Sequence, residues 1–113
     1  MTTATLDTCI RDCLDCLREC EICASTCLGG EHTSMMAECI RLCQDCADLC
    51  TLCARFMLRG SSLCKEVCVA CAKACELCAQ ECDKHASHDD RCKRCAEACR
   101  LCAKSLHQVA QAA

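Results

Sequence analysis

Cys9, Cys13, Cys16, Cys20, Cys23 and Cys27 are spaced four, three, four, three and four residues apart. Thiols are soft donors, and clusters of thiolates alone select Cu(I), Zn(II) or iron–sulfur clusters. The same spacing recurs in Cys39, Cys43, Cys46, Cys50 and Cys53. It recurs again in Cys64, Cys68, Cys71, Cys75, Cys78 and Cys82, and in Cys92, Cys95, Cys99 and Cys102. All 21 cysteines fall in these four runs. A four/three alternation holds side chains on one face of an α-helix, at the seam where a helical bundle normally places hydrocarbon. Here every seam position is a thiol.

Packing alone is a poor account of such a pattern. One or two buried cysteines act as small hydrophobes. Replacing Leu by Cys along whole seams gives up roughly 1–2 kcal/mol of burial per position. A small domain has only about 5–15 kcal/mol of net stability from which to lose it. A disulfide scaffold fits no better. The cysteine count is odd, the spacings are helical rather than irregular, and no basic-then-apolar leader is readable in Met1-Thr2-Thr3-Ala4-Thr5-Leu6-Asp7.

Charge separates the candidate metals. Cu(I) displaces one proton from one thiol, so a filled core is as neutral as the empty one. Zn(II) on four thiolates carries a charge of −2, and several such sites would bury uncompensated charge. No Lys or Arg occupies a seam: Arg11, Arg18, Arg41, Lys65, Lys73, Arg91 and Lys93 all lie off them. Zinc sites also favour four ligands separated by loops over a continuous ladder. Ferredoxin-type C-x₂-C-x₂-C or C-x₄-C-x₂-C runs are missing, as is Pro. Cu(I) needs only two or three soft ligands, which thiols one helical turn apart supply.

The ends of the seams carry further candidate ligands. Extending the phase backwards from Cys39 reaches Met36 and His32. Forwards from Cys82 it reaches His85, and backwards from Cys92 it reaches His88. In an up-down bundle these four positions meet at one end, beside Gly29-Gly30. Imidazole and thioether there are candidate metal ligands; the alternative is that the histidines are solvated loop residues. His107 is out of phase and reads as surface. The opposite end gathers Leu6, Met57, Leu106 and Val109, with Phe56 nearby, and reads as plugged by hydrocarbon.

The elements that position these residues follow from the spacing. Helix 1 is expected from about Thr5 to Leu28, capped by Thr5 or Asp7 and ended by a left-handed glycine of Gly29-Gly30. Helix 2 is expected from Thr33 or Ser34 to about Leu58, with Ser34 as its cap. Helix 3 is expected from about Leu63 to His85, capped by Ser61 or Ser62. Helix 4 is expected from about His88 to Gln108, with Ala110-Gln111-Ala112-Ala113 fraying. Arg11, Asp12, Asp15, Arg18 and Glu19 read as the outer face of helix 1. Short connections make sequential helices antiparallel. The expected fold is all-α: one domain over residues 1–113, an up-down-up-down four-helix bundle with a cysteine-lined core. Ile10, Leu14, Leu17, Leu42, Leu49 and Leu52 flank the seams in excess of one narrow core, which points to a homo-oligomer. Net charge is −3 and Phe56 is the single aromatic residue. No basic stripe, stacking aromatics or apolar run near about twenty residues is present, so neither nucleic acid nor membrane is an expected partner.

These cysteine-lined helices with His and Met at one mouth resemble the bacterial copper storage proteins, specifically their cytosolic branch. The resemblance spans Cys9 to Cys102. It implies a non-enzymatic cytoplasmic protein that stores many Cu(I) ions on inward thiolates, takes them in at the His/Met end and assembles as a homotetramer. A copper chaperone or a small-molecule thiol is the expected donor. The competing classes are a zinc or general thiol buffer and an iron–sulfur electron carrier.

Overall fold

A computed structural model describes residues 3–112. Its helices are α1 (Thr3–Leu28), α2 (Ala37–Leu58), α3 (Cys64–Asp83) and α4 (Asp90–Ala112). No strand occurs among the described residues. Sequential helices pack on one another, and α4 closes back on α1, so the four surround one axis. The bundle measures 44 × 20 × 17 Å. The expected four-helix architecture is therefore the observed one.

Several boundaries differ from the sequence reading, each for a local reason. α1 begins at Thr3, so Thr5 and Asp7 lie inside it rather than capping it. Neither Gly29 nor Gly30 has a positive φ; among the described residues only Gly60 does, at 64°. Gly60 ends α2 in a Schellman motif: its N–H reaches Met57 O at 3.2 Å, and that of Ser61 reaches Phe56 O at 3.0 Å. After α1 the work of the cap falls to Thr33, whose Oγ1 lies 3.2, 3.3 and 3.0 Å from the carbonyls of Cys27, Leu28 and Gly30. That fold-back delays α2 to Ala37, with Met36 as its N-cap residue and no side-chain cap bond, so Ser34 does not cap it.

α3 likewise starts without a side-chain cap, behind Leu63. Ser61 instead orders the preceding turn, its Oγ accepting the Leu63 N–H at 3.1 Å. α3 stops at Asp83, two residues before His85. α4 starts at Asp90 because Asp89 Oδ1 accepts the N–H groups of Arg91 at 2.9 Å and Cys92 at 3.2 Å. It runs on to Ala112 rather than fraying after Gln108, since Val109 and Ala110 are buried. Ala113 lies outside the described residues.

The core is sulfur with a small-residue border. Ala24, Ala47, Ala54, Ala72, Ala79, Ala96 and Ala103 are buried beside the thiols. Alanine lets helices approach closely, so thiols from different helices can touch. Ile10, Leu17, Leu42, Leu49 and Val67 are half-buried against this core. Asp12 departs from the expected outer face: it is buried, and Ser105 Oγ of α4 donates a hydrogen bond to its Oδ2. Exposed ties are weaker, as with Arg100 on Asp83 at 2.9 Å, a surface pair worth about 0–1 kcal/mol.

Candidate metal centre

Each seam delivers its thiols to the axis. Of the 21 cysteines all but Cys64 are buried, and all carry free thiols. Because the helices alternate in direction, neighbours in the column come from different chain segments. Cys16 lies 3.7 Å from Cys46 and 3.7 Å from Cys99, which joins α1, α2 and α4 in one layer. Cys46 lies 3.6 Å from Cys75 of α3. Towards the loops that hold the histidines, Cys95 meets Cys20 at 3.6 Å, Cys78 meets Cys43 at 3.7 Å, and Cys39 meets Cys82 at 3.7 Å. Towards the other end, Cys102 meets Cys13 at 3.7 Å and Cys71 meets Cys50 at 3.7 Å. Cys53 and Cys68 are 3.5 Å apart.

The sulfurs group into quartets whose members all lie within 4.8 Å of one another. Examples are Cys16, Cys46, Cys50 and Cys75; Cys20, Cys78, Cys95 and Cys99; and Cys23, Cys39, Cys43 and Cys82. Such spacing lets a soft ion gain two or three ligands with small side-chain rotations. It does not let the thiols ionise together, because adjacent thiolates in a dry core repel and lose their hydration.

Burial sets the proton affinity at the two ends. It pushes the Cys27 thiol from an ordinary 9.0 up to about 12, with the nearby Cys92 and Cys39 thiols adding to it. It pushes Cys64 up to about 11, again with help from a neighbouring thiol, Cys68. A raised value means that the folded state holds its proton more tightly than the unfolded chain does. The resulting stability is complete below the ordinary thiol value and is lost as pH climbs through the raised ones. The reduced, metal-free bundle should therefore keep a constant melting temperature up to about pH 8.5 and lose stability progressively between about pH 9 and 12. Circular dichroism melts across that range check this; a flat profile, or a random-coil spectrum at neutral pH, would contradict it.

At one end the expected residues converge. His32, Met36, His85 and His88 line a common cavity of about 200 Å³ together with Thr26, Cys27, Gly30, Glu31, Met35 and Asp89. Met36 is buried, His85 is half-buried, and His32 and His88 are exposed. The His85 and His88 rings meet edge to face at 6.0 Å. His85 Nε2 lies 3.4 Å from Glu81 Oε2, which orients the imidazole. Two further residues share this cavity, one of them a thiol of the first run. Met35, 69% exposed, adds a second thioether on the rim; its only sequence signal is adjacency to Met36. Cys27 lines the cavity and stands closer to solvent than Cys39, Cys82 and Cys92, the other thiols at this end. His107 stays outside, paired with Glu76 at 3.2 Å on the surface.

The far end is less closed than its sequence implies. Leu106 and Val109 are fully buried and Met57 nearly so. The α2–α3 turn nevertheless leaves a cavity of about 400 Å³, lined by Leu6, Met57, Gly60, Ser61, Ser62, Cys64, Lys65 and Glu66.

Four antiparallel helices closed around a column of free thiols define an α-helical bundle with a thiol core. Comparison with known proteins narrows that class. Residues 2–111 match the family described as Csp, copper storage protein. A solved cytosolic copper storage protein from Streptomyces lividans, loaded with five coppers, superposes with a TM-score of 0.93 at 35% identity, covering 96% of this chain and 93% of that one. The Cu(I)-bound copper storage protein of Bacillus subtilis superposes with a TM-score of 0.88 at 39% identity, covering 94% and 98%. A protein from Nitrosospira multiformis does so with a TM-score of 0.88 at 33% identity, covering 99% and 100%. Among curated proteins none matches. This chain belongs to the copper storage protein family.

Proposed function

We propose that this protein stores Cu(I), many ions per chain, on the thiolates of its core. The observation that carries the reading is the continuous column of free thiols, in quartets drawn from several helices. Each ion replaces a thiol proton, so a core with one Cu(I) per thiol stays neutral however many ions it holds. The proposed ligands are the 21 cysteines, with His32, Met36, His85 and His88 receiving the ion at the mouth. All four helices act as one copper-binding domain.

The zinc reading has one observation in its favour, since four thiols within 4.8 Å suit a tetrahedral ion. It is weakened by shared members: Cys16 and Cys46 each serve two quartets, as do Cys23 and Cys39. Filling neighbouring quartets with Zn(II) would require bridging thiolates, and each quartet filled on its own would bury a charge of −2.

Storage requires no chemical turnover, and we assign the protein no enzymatic role. We place it in the cytoplasm, on the strength of its cytosolic Streptomyces relative and of buried thiols that need a reducing compartment. No described helix is long and apolar enough to cross a membrane. A copper chaperone or a small-molecule thiol would deliver the ion. A second copy would cover the α2–α3 groove, where Leu42, Leu49, Ala70, Ala74 and Leu77 form an apolar strip edged by Asp45, Asp48 and Lys73. The tetramer is the assembly we propose.

One experiment tests these points. The reduced protein is titrated anaerobically with a Cu(I)–chelator complex and followed by native mass spectrometry. Storage predicts on the order of one Cu(I) per thiolate, no iron–sulfur absorption, and a multimeric mass. Uptake of only a few ions, or preferential retention of zinc, would remove copper storage; a monomer at micromolar concentration would remove the tetramer.

A further inference from the structure

Cys64 is the one cysteine that the bundle leaves half-exposed. It is not isolated from the column. Cys68, one turn further along α3, interacts with it, and Cys68 in turn lies 3.5 Å from Cys53 of α2. Cys64 opens onto the cavity of about 400 Å³ at the α2–α3 turn, whose wall also holds the buried thioether of Met57. Small-ligand sites have volumes of about 300–1,000 Å³. Lys65, Ser61 and Ser62 put one cation and two hydroxyls on its rim, with the carboxylate of Glu66 beside them. Soft donors at graded depth, a cation and room for a small molecule thus share one place, at the opposite end from the histidines.

We propose that the α2–α3 turn is a second site of Cu(I) exchange, where Cys64 takes the ion from a small-molecule thiol complex. This rests on the storage reading above. The chemistry is ligand exchange without a change of oxidation state. A two-coordinate Cu(I) bis-thiolate carries a charge of −1, which Lys65 attracts. Cys64 forms a Cu–S bond as one donor thiolate leaves, and the Cys64 proton goes to that leaving thiolate. Cys68 then displaces the second donor in the same way. Two donor thiols are released neutral, and the ion ends on Cys64 and Cys68 with its charge of −1 facing Lys65. From there Cys53 is the next sulfur inward. Met57 supplies a neutral ligand beside the path, which lowers the cost of each exchange without adding charge.

The test uses the full-length reduced protein. First, sub-stoichiometric N-ethylmaleimide is applied to the apo form and modified peptides are identified by mass. Cys64 should react about tenfold or more faster than the other thiols, as accessibility requires. Labelling spread evenly, or centred on Cys27, would overturn the proposal. Second, uptake from Cu(I)–glutathione is timed by stopped flow in a variant with His32, Met36, His85 and His88 replaced by Leu, with and without Cys64→Ser. Cys64→Ser should slow the initial phase by about tenfold and lower the final copper count by at most about two ions. An unchanged rate overturns the proposal. Lys65→Glu, a surface change that keeps every thiol, should slow uptake from the anionic glutathione complex by about threefold; no slowing also counts against it. Failure of the parent protein to accumulate copper would instead defeat the storage reading, so the two failures are distinguishable.

Discussion

Loading with Cu(I) should raise the melting temperature of the bundle by more than about 20 °C. An ion that binds only the folded state adds about 4.1 kcal/mol when free ligand is a thousandfold above its dissociation constant. Two such ions would match the whole net stability of a small domain, about 5–15 kcal/mol. At this chain length 1 kcal/mol moves the midpoint by about 4 °C. The unfolded chain keeps its CxxC and CxxxC pairs and will bind some copper, so only the differential counts. That differential comes from ions bridging helices. Cys16, Cys46 and Cys99 belong to α1, α2 and α4 and lie within 3.9 Å of each other. No unfolded segment brings those three together. Anaerobic calorimetry at increasing copper, with the reduced apo protein as reference, reads the effect. Coincident melts for apo and loaded protein would show that copper sits on local pairs at the surface and not in the column.

Replacing His32, Met36, His85 and His88 together by Leu should slow loading by about tenfold while leaving most of the capacity, because the inner thiols are untouched. The variant should fold. Met36 to Leu roughly conserves buried volume, His32 and His88 are exposed, and His85 loses only its contacts with Glu81 and His88. Stopped-flow transfer from a chelator measures the rate. The loss should be larger when Cys64 is also Ser, since the two ends then close together. Parent-like rates in both backgrounds would mean that copper passes between helices. Polar substitution at Leu106, by contrast, bears on folding before it bears on loading, because Leu106 is fully buried.

The column and its mouth were legible in the chain for the same reason. Cysteine phase is a one-dimensional signal, and extending it by one or two steps reached His32, Met36, His85 and His88, which share a cavity in the fold. What escaped depends on contacts between distant segments. Asp12 sits one position before Cys13 and reads as solvated until Ser105 of α4 arrives beside it. Thr33 reads as a helix start, yet its hydroxyl turns back to the end of α1. A Gly-Gly pair looks like the stronger terminator, but the left-handed residue is Gly60, because α2 ends in two 6→1 and 5→2 bonds that demand it there. Cys64 has the seam phase of its neighbours; only the shape of the α2–α3 turn leaves it half-open.

The quartets of the column overlap, and this changes what filling means. Cys23 and Cys39 belong both to a set with Cys43 and Cys82 and to one with Cys27 and Cys92; Cys20 and Cys99 likewise serve two sets. Under the storage reading, an ion seated in one set would share bridging thiolates with an ion in the next. The core would then act as a one-dimensional lattice of shared sulfurs, in which an ion advances by trading one shared sulfur for another and a vacancy travels the opposite way. Successive ions would not report independent affinities, and early arrivals could reorganise as later ones crowd them from wide three-sulfur coordination into tighter two-sulfur sharing. Storage of this kind resembles a queue along a file of seats more than a set of separate binding pockets.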